Sequence, residues 1–150
     1  MADTDIQFTL RPIGVIHTPF AGRSGMPIQA AYSEAIGCVE VYPKFAPGLQ
    51  HLDGFSHIVL VYWFHRAEKV SLTVRPFLDD KPHGLFATRY PARPNPIGLS
   101  VVKLVAIDGC MLGVHGVDML DATPLLDIKP FVPAFDHREG TRIGWLTGRV

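Results

Sequence analysis

The chain has 150 residues, 47% hydrophobic and 19% charged, which suits one folded domain with a core and excludes a disordered chain. Its 14 basic and 14 acidic residues cancel. That balance excludes a globally basic nucleic-acid binder, so any such contact has to come from a local patch or a dimer surface.

The N-terminal Met1-Ala2-Asp3-Thr4-Asp5 is acidic and polar, unlike a signal peptide. The first strand signal runs from Phe8 to His17 around Pro12. Pro27-Ile28-Gln29-Ala30 follows a glycine-containing loop, and Gln29 is suited either to reading an adenine edge or to simple solvation. Ile36 to Tyr42 alternates in part and reads as a second strand. Pro47 to Leu52 reads as one helical turn closed by Asp53-Gly54. Ser56 to His65 is almost continuously β-branched and aromatic, predicting a central strand buried on both faces. Its apolar run, Ile58 to Phe64, is far too short to span a membrane. His57 and His65 bracket this strand, about 26 Å apart by strand rise, too far to act together. Leu72 to Val74 and Gly84 to Thr88 predict shorter strands.

Thr88-Arg89-Tyr90-Pro91-Ala92-Arg93-Pro94-Asn95-Pro96-Ile97-Gly98-Leu99-Ser100 is the densest segment. Its three prolines fix φ, remove backbone donors and restrict the residue before each of them. A stiff, extended loop follows, and two guanidiniums on it lose little entropy when they bind an anion. Leu99 to Ile107 and Cys110 to Val117 flank Asp108-Gly109, predicting a hairpin with a type I′ turn. Asp118 to Pro130 interrupts an apolar stretch with three acids and a lysine. There Asp121 and Thr123 suit a side-chain-closed turn, and Asp127 and Lys129 share a strand face. Leu125 to Ile128 and Arg142 to Leu146 complete the strand signals. Many short strands, 13 prolines, 14 glycines and little helical periodicity predict a barrel or sandwich with few short helices.

The common catalytic signatures are absent: no GxGxxG, Walker A, HExxH or GxSxG. The seven histidines have no metal-ligand spacing, so no metal is expected. Cys38 and Cys110 form no CxxC and read as buried free thiols, consistent with a reducing cytoplasm.

Four segments together resemble the TrmO (TsaA-like) family of tRNA methyltransferases. They are Ile13-Gly14-Val15-Ile16-His17-Thr18-Pro19-Phe20; Leu52-Asp53-Gly54-Phe55-Ser56-His57-Ile58 with Trp63-Phe64-His65-Arg66; Phe86-Ala87-Thr88-Arg89 with Arg93-Pro94-Asn95-Pro96-Ile97-Gly98-Leu99-Ser100; and Asp121-Ala122-Thr123-Pro124-Leu125-Leu126-Asp127-Ile128-Lys129-Pro130. The resemblance implies a mostly β fold, an open antiparallel barrel, and a homodimer. It implies S-adenosylmethionine as cofactor and methyl transfer to N6 of a threonylcarbamoyl-adenosine beside the tRNA anticodon, in the cytoplasm. It also implies one domain over residues 1–150, without the C-terminal extension of longer relatives.

The cofactor residues carried over are Pro27, Ile28, Gln29, His65, Arg66, Arg89, Leu99, Asp121, Ala122, Thr123 and Pro124. Asp121 and Asp127 are the candidate catalytic proton acceptors. Arg93, Asn95 and Lys129 are candidate RNA contacts, with Arg66 and Arg89 on the same basic rim. Ala122 stands where the family usually has Gly, which implies strain if the turn needs φ > 0. The alternatives are a methyltransferase of this fold acting on a small molecule or another RNA, and a non-catalytic S-adenosylmethionine sensor.

Overall fold

The computed structural model describes residues 4–22, 26–27 and 32–150. Six strands make the main sheet: β1 Gly14–His17, β2 Ile36–Val41, β3 His57–Trp63, β6 Ile97–Asp108, β7 Met111–His115 and β8 Thr123–Pro130. Two more, β4 Thr73–Val74 and β5 His83–Gly84, form a separate two-stranded ribbon. The order in the large sheet is β1-β2-β7-β6-β3-β8, every pair is antiparallel, and β8 pairs back onto β1. The mostly β, antiparallel barrel thus agrees with the sequence. The ladder is closed, where the resemblance implied an open one.

Closure depends on two irregularities. β6 is 12 residues long and serves two partners, β3 through Ile97–Lys103 and β7 through Lys103–Asp108. Its register shifts between Leu104 and Ala106, so Val105 is an extra residue at which the strand bends. β8 shifts against β3 between Val61 and Tyr62, which leaves Leu126 unpaired. After that bulge Asp127 and Lys129 point outward while Ile128 faces Leu60.

Inward positions alternate along each strand and fill the barrel with Ile16, Val39, Ile58, Leu60, Leu112, Val114 and Leu125, all fully buried. Gly14 and Gly98 face inward where there is no room for a side chain. A Cβ on Gly14 would meet the Glu40 carbonyl, and one on Gly98 would meet the rings of Tyr62 and Phe64.

Several local expectations change. β3 is buried only on alternate residues, because no helical layer among the described residues covers its outer face. The first strand begins at Gly14, not Phe8: Pro12 has no N–H for a ladder, and Phe8 is exposed. The hairpin turn is Gly109-Cys110, since Asp108 pairs with Met111. Gly109 alone has positive φ, the pattern of a II′ turn rather than I′. Gly84–Thr88 is mostly a 3₁₀ turn, Leu85–Ala87, and Arg142–Leu146 contributes the 3₁₀ turn Gly144–Leu146 instead of a strand. The only α-helix among the described residues, α1, spans Pro133–Asp136. Cys38 and Cys110 are free and half-buried. No helix among the described residues is long and apolar enough to cross a membrane.

The C-terminal residues fold back onto the β4–β5 ribbon. Trp145 stacks on His83 at 4.4 Å and donates its indole N–H to the Ala87 carbonyl at 2.7 Å. Arg149 reaches Asp79 at 3.5 Å, and His83 hydrogen-bonds the same carboxylate at 2.8 Å. The His83 hydrogen bond, helped by the Lys81 N–H and the Arg149 charge, holds the Asp79 carboxyl well below the usual carboxylate range. A depressed carboxyl contributes stability that is complete above its unfolded value of about 4 and is lost as pH falls through the folded one. Asp79→Asn therefore lowers the thermal midpoint at pH 7. The gap to the unsubstituted protein narrows as pH drops below about 4, which calorimetry across pH 3–7 checks.

Candidate functional site

One rim of the barrel gathers the exits of β1, β3 and β7 and the entries of β6 and β8. A cleft of about 510 Å³ opens there, lined by Gly22, Arg66, Lys69, Tyr90, Pro91 and Leu120, among others. It lies between the end of the first strand, the segment after β3, the proline-rich loop and the turn that enters β8.

The turn is held by the segment after β1. The Thr18 N–H donates to Asp121 Oδ1 at 3.0 Å, and the Thr18 hydroxyl donates to the Met119 carbonyl at 2.8 Å. The Asp121 N–H donates to the Phe20 carbonyl at 2.8 Å. His17 lies 3.0 Å from Glu40 and 3.9 Å from Asp121. The Thr123 hydroxyl closes the turn by donating to Leu120 O at 2.6 Å, and it is buried. Ala122 sits at φ 63°, in the left-handed region that glycine adopts freely.

The proline-rich loop is held by its own arginine. Arg93 Nη1 donates to the carbonyls of Thr88 (2.9 Å), Tyr90 (3.1 Å) and Leu85 (3.4 Å), so this guanidinium braces the loop from inside. Arg89, from the same loop, is exposed, and its charge acts on a polar chain in the barrel mouth. There the Tyr62 hydroxyl meets Ser100 Oγ at 2.8 Å, and Ser100 donates to Asp118 Oδ1 at 2.5 Å. Burial first, then the Asp118 charge, pushes the Tyr62 phenol above its ordinary range, while Arg89 pulls the other way. Burial and the adjacent Arg66 charge lower His65 below its ordinary value, both disfavouring the charged ring.

The structure brings His65, Arg66, Arg89, Arg93, Asn95 and the Asp121–Pro124 turn to this rim. Pro27 is half-buried, and Ile28 and Gln29 lie outside the described residues. Leu99 is half-exposed on the outer face of β6. Asp127 and Lys129 are not at the cleft: they pair with each other at 3.0 Å, further along β8. Asp127 lines a different groove of about 550 Å³ at the opposite rim, with Phe45, His51 and Phe55. Four strand steps of about 3.3 Å separate Asp127 from Thr123, so the two candidate acids do not share a site.

Sequence reasoning missed Tyr62, Ser100 and Asp118. The available signal was alternation along two strands, which turns Tyr62 and Ser100 inward as polar groups in apolar company. Among the described residues no three His, Cys, Asp or Glu side chains group as metal ligands.

Residues 15–137 match the tRNA-methyltransferase O N-terminal domain, TrmO_N. The chain belongs to the TrmO family. A probable S-adenosyl-L-methionine-binding protein of Pyrococcus abyssi is 56% identical over 141 residues, covering 93% of this chain and 77% of the relative. The human tRNA (adenine(37)-N6)-methyltransferase is 33% identical over 135 residues, covering 83% of this chain and 30% of the human protein. The crystal structure of TrmO from Pseudomonas aeruginosa superimposes with a TM-score of 0.79 at 36% identity, covering 93% of this chain and 63% of that one. The chain thus spans less than two thirds of that TrmO structure. The four segments that resemble the family converge on the barrel and its rim, with Thr18 and Asp121, from the first and last of them, hydrogen-bonded to each other.

Because Ala122 occupies a left-handed position in a pinned turn, Ala122→Gly stabilises the fold by about 1 kcal/mol. Urea unfolding of the two proteins measures it.

Proposed function

We propose that this chain is an S-adenosylmethionine-dependent methyltransferase that modifies N6 of threonylcarbamoyl-adenosine beside the tRNA anticodon. The observation that carries this reading is the cleft onto which Arg66, Tyr90 and Leu120, the residue before Asp121, converge, in a chain of the TrmO family. A tRNA acceptor assigns the reaction to the cytoplasm.

The residues present fit the cofactor. A cleft of about 510 Å³ is of the size that takes a nucleoside-sized ligand. Arg66, with Arg89 on the neighbouring loop, suits the ligand's carboxylate, as charge-assisted forks do. The half-exposed Tyr90 ring offers an adenine a stacking face, and Asp121–Pro124 offers polar backbone groups. Bound there, the cofactor would supply a methyl group already activated by its sulfonium, so little is asked of the protein beyond alignment and exclusion of water.

The acceptor N6 carries a proton that has to leave. We assign its acceptance to Asp121, whose carboxylate is half-exposed beside the cleft-lining Leu120 and is fixed by the Thr18 N–H. Asp127 is committed to Lys129 and the Ile128 N–H on the outer face of β8, away from the cleft. Asp121→Asn then slows methyl transfer by roughly 100-fold or more while Asp127→Asn changes it by less than about twofold, as single-turnover measurements resolve.

A homodimer is part of this reading. The outer face of β6 presents Ile97, Leu99 and Val101, with Trp63 across the register on β3, all exposed to at least 38%. Pairing with a second copy would cover this apolar stripe and carry Leu99 to a partner's site.

The deciding assay is labelled methyl transfer onto tRNA from cells with and without the threonylcarbamoyl modification. Only the modified tRNA is labelled, and activity falls steeply with salt because phosphate contacts release counterions. Equal labelling of both moves the assignment to another RNA or a small molecule. Cofactor binding without transfer to either supports the second reading, a sensor, which the binding-only name of the Pyrococcus relative favours.

A further inference from the structure

Phe86 is the middle residue of the 3₁₀ turn Leu85–Ala87, and that turn is fastened from several directions. Leu85 is buried and its N–H donates to the Leu72 carbonyl at 2.9 Å. The Thr88 hydroxyl donates to Leu85 O at 2.7 Å, and Trp145 donates to the Ala87 carbonyl at 2.7 Å. Between these anchors the Phe86 side chain is 74% exposed. Its one aromatic or cationic partner among the described residues is the Arg93 guanidinium, 5.8 Å from the ring centroid, itself locked by backbone carbonyls. The fold gains little from this ring, yet holds its mount rigidly. A large, preorganised aromatic on the surface is what a binding partner uses at small entropic cost.

The surroundings say which partner. Residues 66–93 hold six Lys and Arg (Arg66, Lys69, Arg75, Lys81, Arg89, Arg93) against three acids (Glu68, Asp79, Asp80), an excess of three in a chain whose total charge is zero. Asp79 is moreover paired with Arg149 and hydrogen-bonded by His83. The same segment supplies Arg66, Lys69 and Tyr90 to the cleft, so Phe86 stands on a cationic excursion bordering the candidate site. Cations beside an exposed ring match a polyanion with free π-faces, which is single-stranded RNA.

We propose that Phe86, backed by the Arg93 guanidinium, is a stacking platform for an unpaired base of the RNA substrate. This rests on the reading that tRNA is the methyl acceptor. An anticodon loop already has unstacked bases, and a ring face accepts any of them, so the platform would hold the loop while the modified adenosine enters the cleft.

Phe86→Leu keeps apolar bulk without a ring face, and Phe86→Trp keeps the face. The probes are a fluorescein-labelled anticodon stem–loop and a fully paired, blunt-ended RNA duplex with the same number of nucleotides. Phe86→Leu weakens stem–loop binding roughly tenfold, Phe86→Trp restores it, and duplex binding is indifferent to both. S-adenosylmethionine affinity by calorimetry and mass by light scattering stay unchanged. Unaltered stem–loop affinity in Phe86→Leu, or equal loss for the duplex, overturns the platform. Loss of cofactor binding would make Phe86 a cofactor wall, and a change in mass would make it a self-contact; either overturns it too. Transfer to modified tRNA with unaltered stem–loop affinity in Phe86→Leu sinks the platform alone. Phe86-dependent binding without transfer keeps the platform and sinks the methyltransferase reading.

Discussion

β1 contributes four residues to the barrel and is hydrogen-bonded along both edges, to β2 through Gly14–His17 and to β8 through Gly14–Ile16. This double pairing closes the sheet, removes both open edges and brings the segment after β1 against the turn that enters β8. Gly14 permits it, because any side chain there would strike the Glu40 backbone. Thr18, one residue beyond the strand, then fixes Asp121 and Met119 by two hydrogen bonds. The position of Asp121 is thus a consequence of closure.

The same economy holds on the other side of the cleft. The proline-rich loop gives its backbone few donors, and Arg93 turns inward to collect two of its carbonyls, Thr88 and Tyr90, and that of Leu85 in the preceding turn. A second set of fasteners comes from far along the chain, where Trp145 and Arg149 bind the ribbon that carries Leu85. These residues lie outside the stretch 15–137 that matches the family domain, and they still determine how rigidly the rim is mounted. The polar chain Tyr62–Ser100–Asp118 lies in the barrel mouth, where burial makes each unmade hydrogen bond costly, so it adds a further constraint on the same rim.

Two grooves of similar volume stand at opposite ends of the barrel, and their chemistry differs. The one beside Asp127 is walled by Phe45, Leu49, Leu52 and Phe55 with a lysine and a histidine at its margin. The one beside Asp121 is walled by the charged segment Arg66–Lys69 and the proline-rich loop. The second offers Arg66 and Lys69, with Glu68 between them, to a ligand's carboxylate or phosphate, and charges near a partly desolvated cleft act at reduced dielectric.

The strands themselves were legible in the chain. Period-two alternation over Ile36–Val41 and the long apolar runs around Asp108-Gly109 are local patterns, and local patterns survive without tertiary context. So was the irregular, proline-rich segment that leads into β6, because proline acts on its own neighbours and withholds ladder donors. The candidate residues His65, Arg66, Arg89 and Asp121 are likewise readable as polar groups in conspicuous segments. What only the tertiary structure decided is which of them meet. The bulge at Leu126 and the closure of β1 onto β8 leave Asp121 next to the cleft-lining Leu120 and put Asp127 on the far groove, though only six positions separate them in sequence. Arg93 reads in sequence as a free cation, and in three dimensions its Nη1 is committed to carbonyls it could not have been known to reach. Composition and spacing report what a residue can do. Its partner is fixed by hydrogen bonds and packing between segments about 100 residues apart, such as Thr18 with Asp121, which no local pattern encodes.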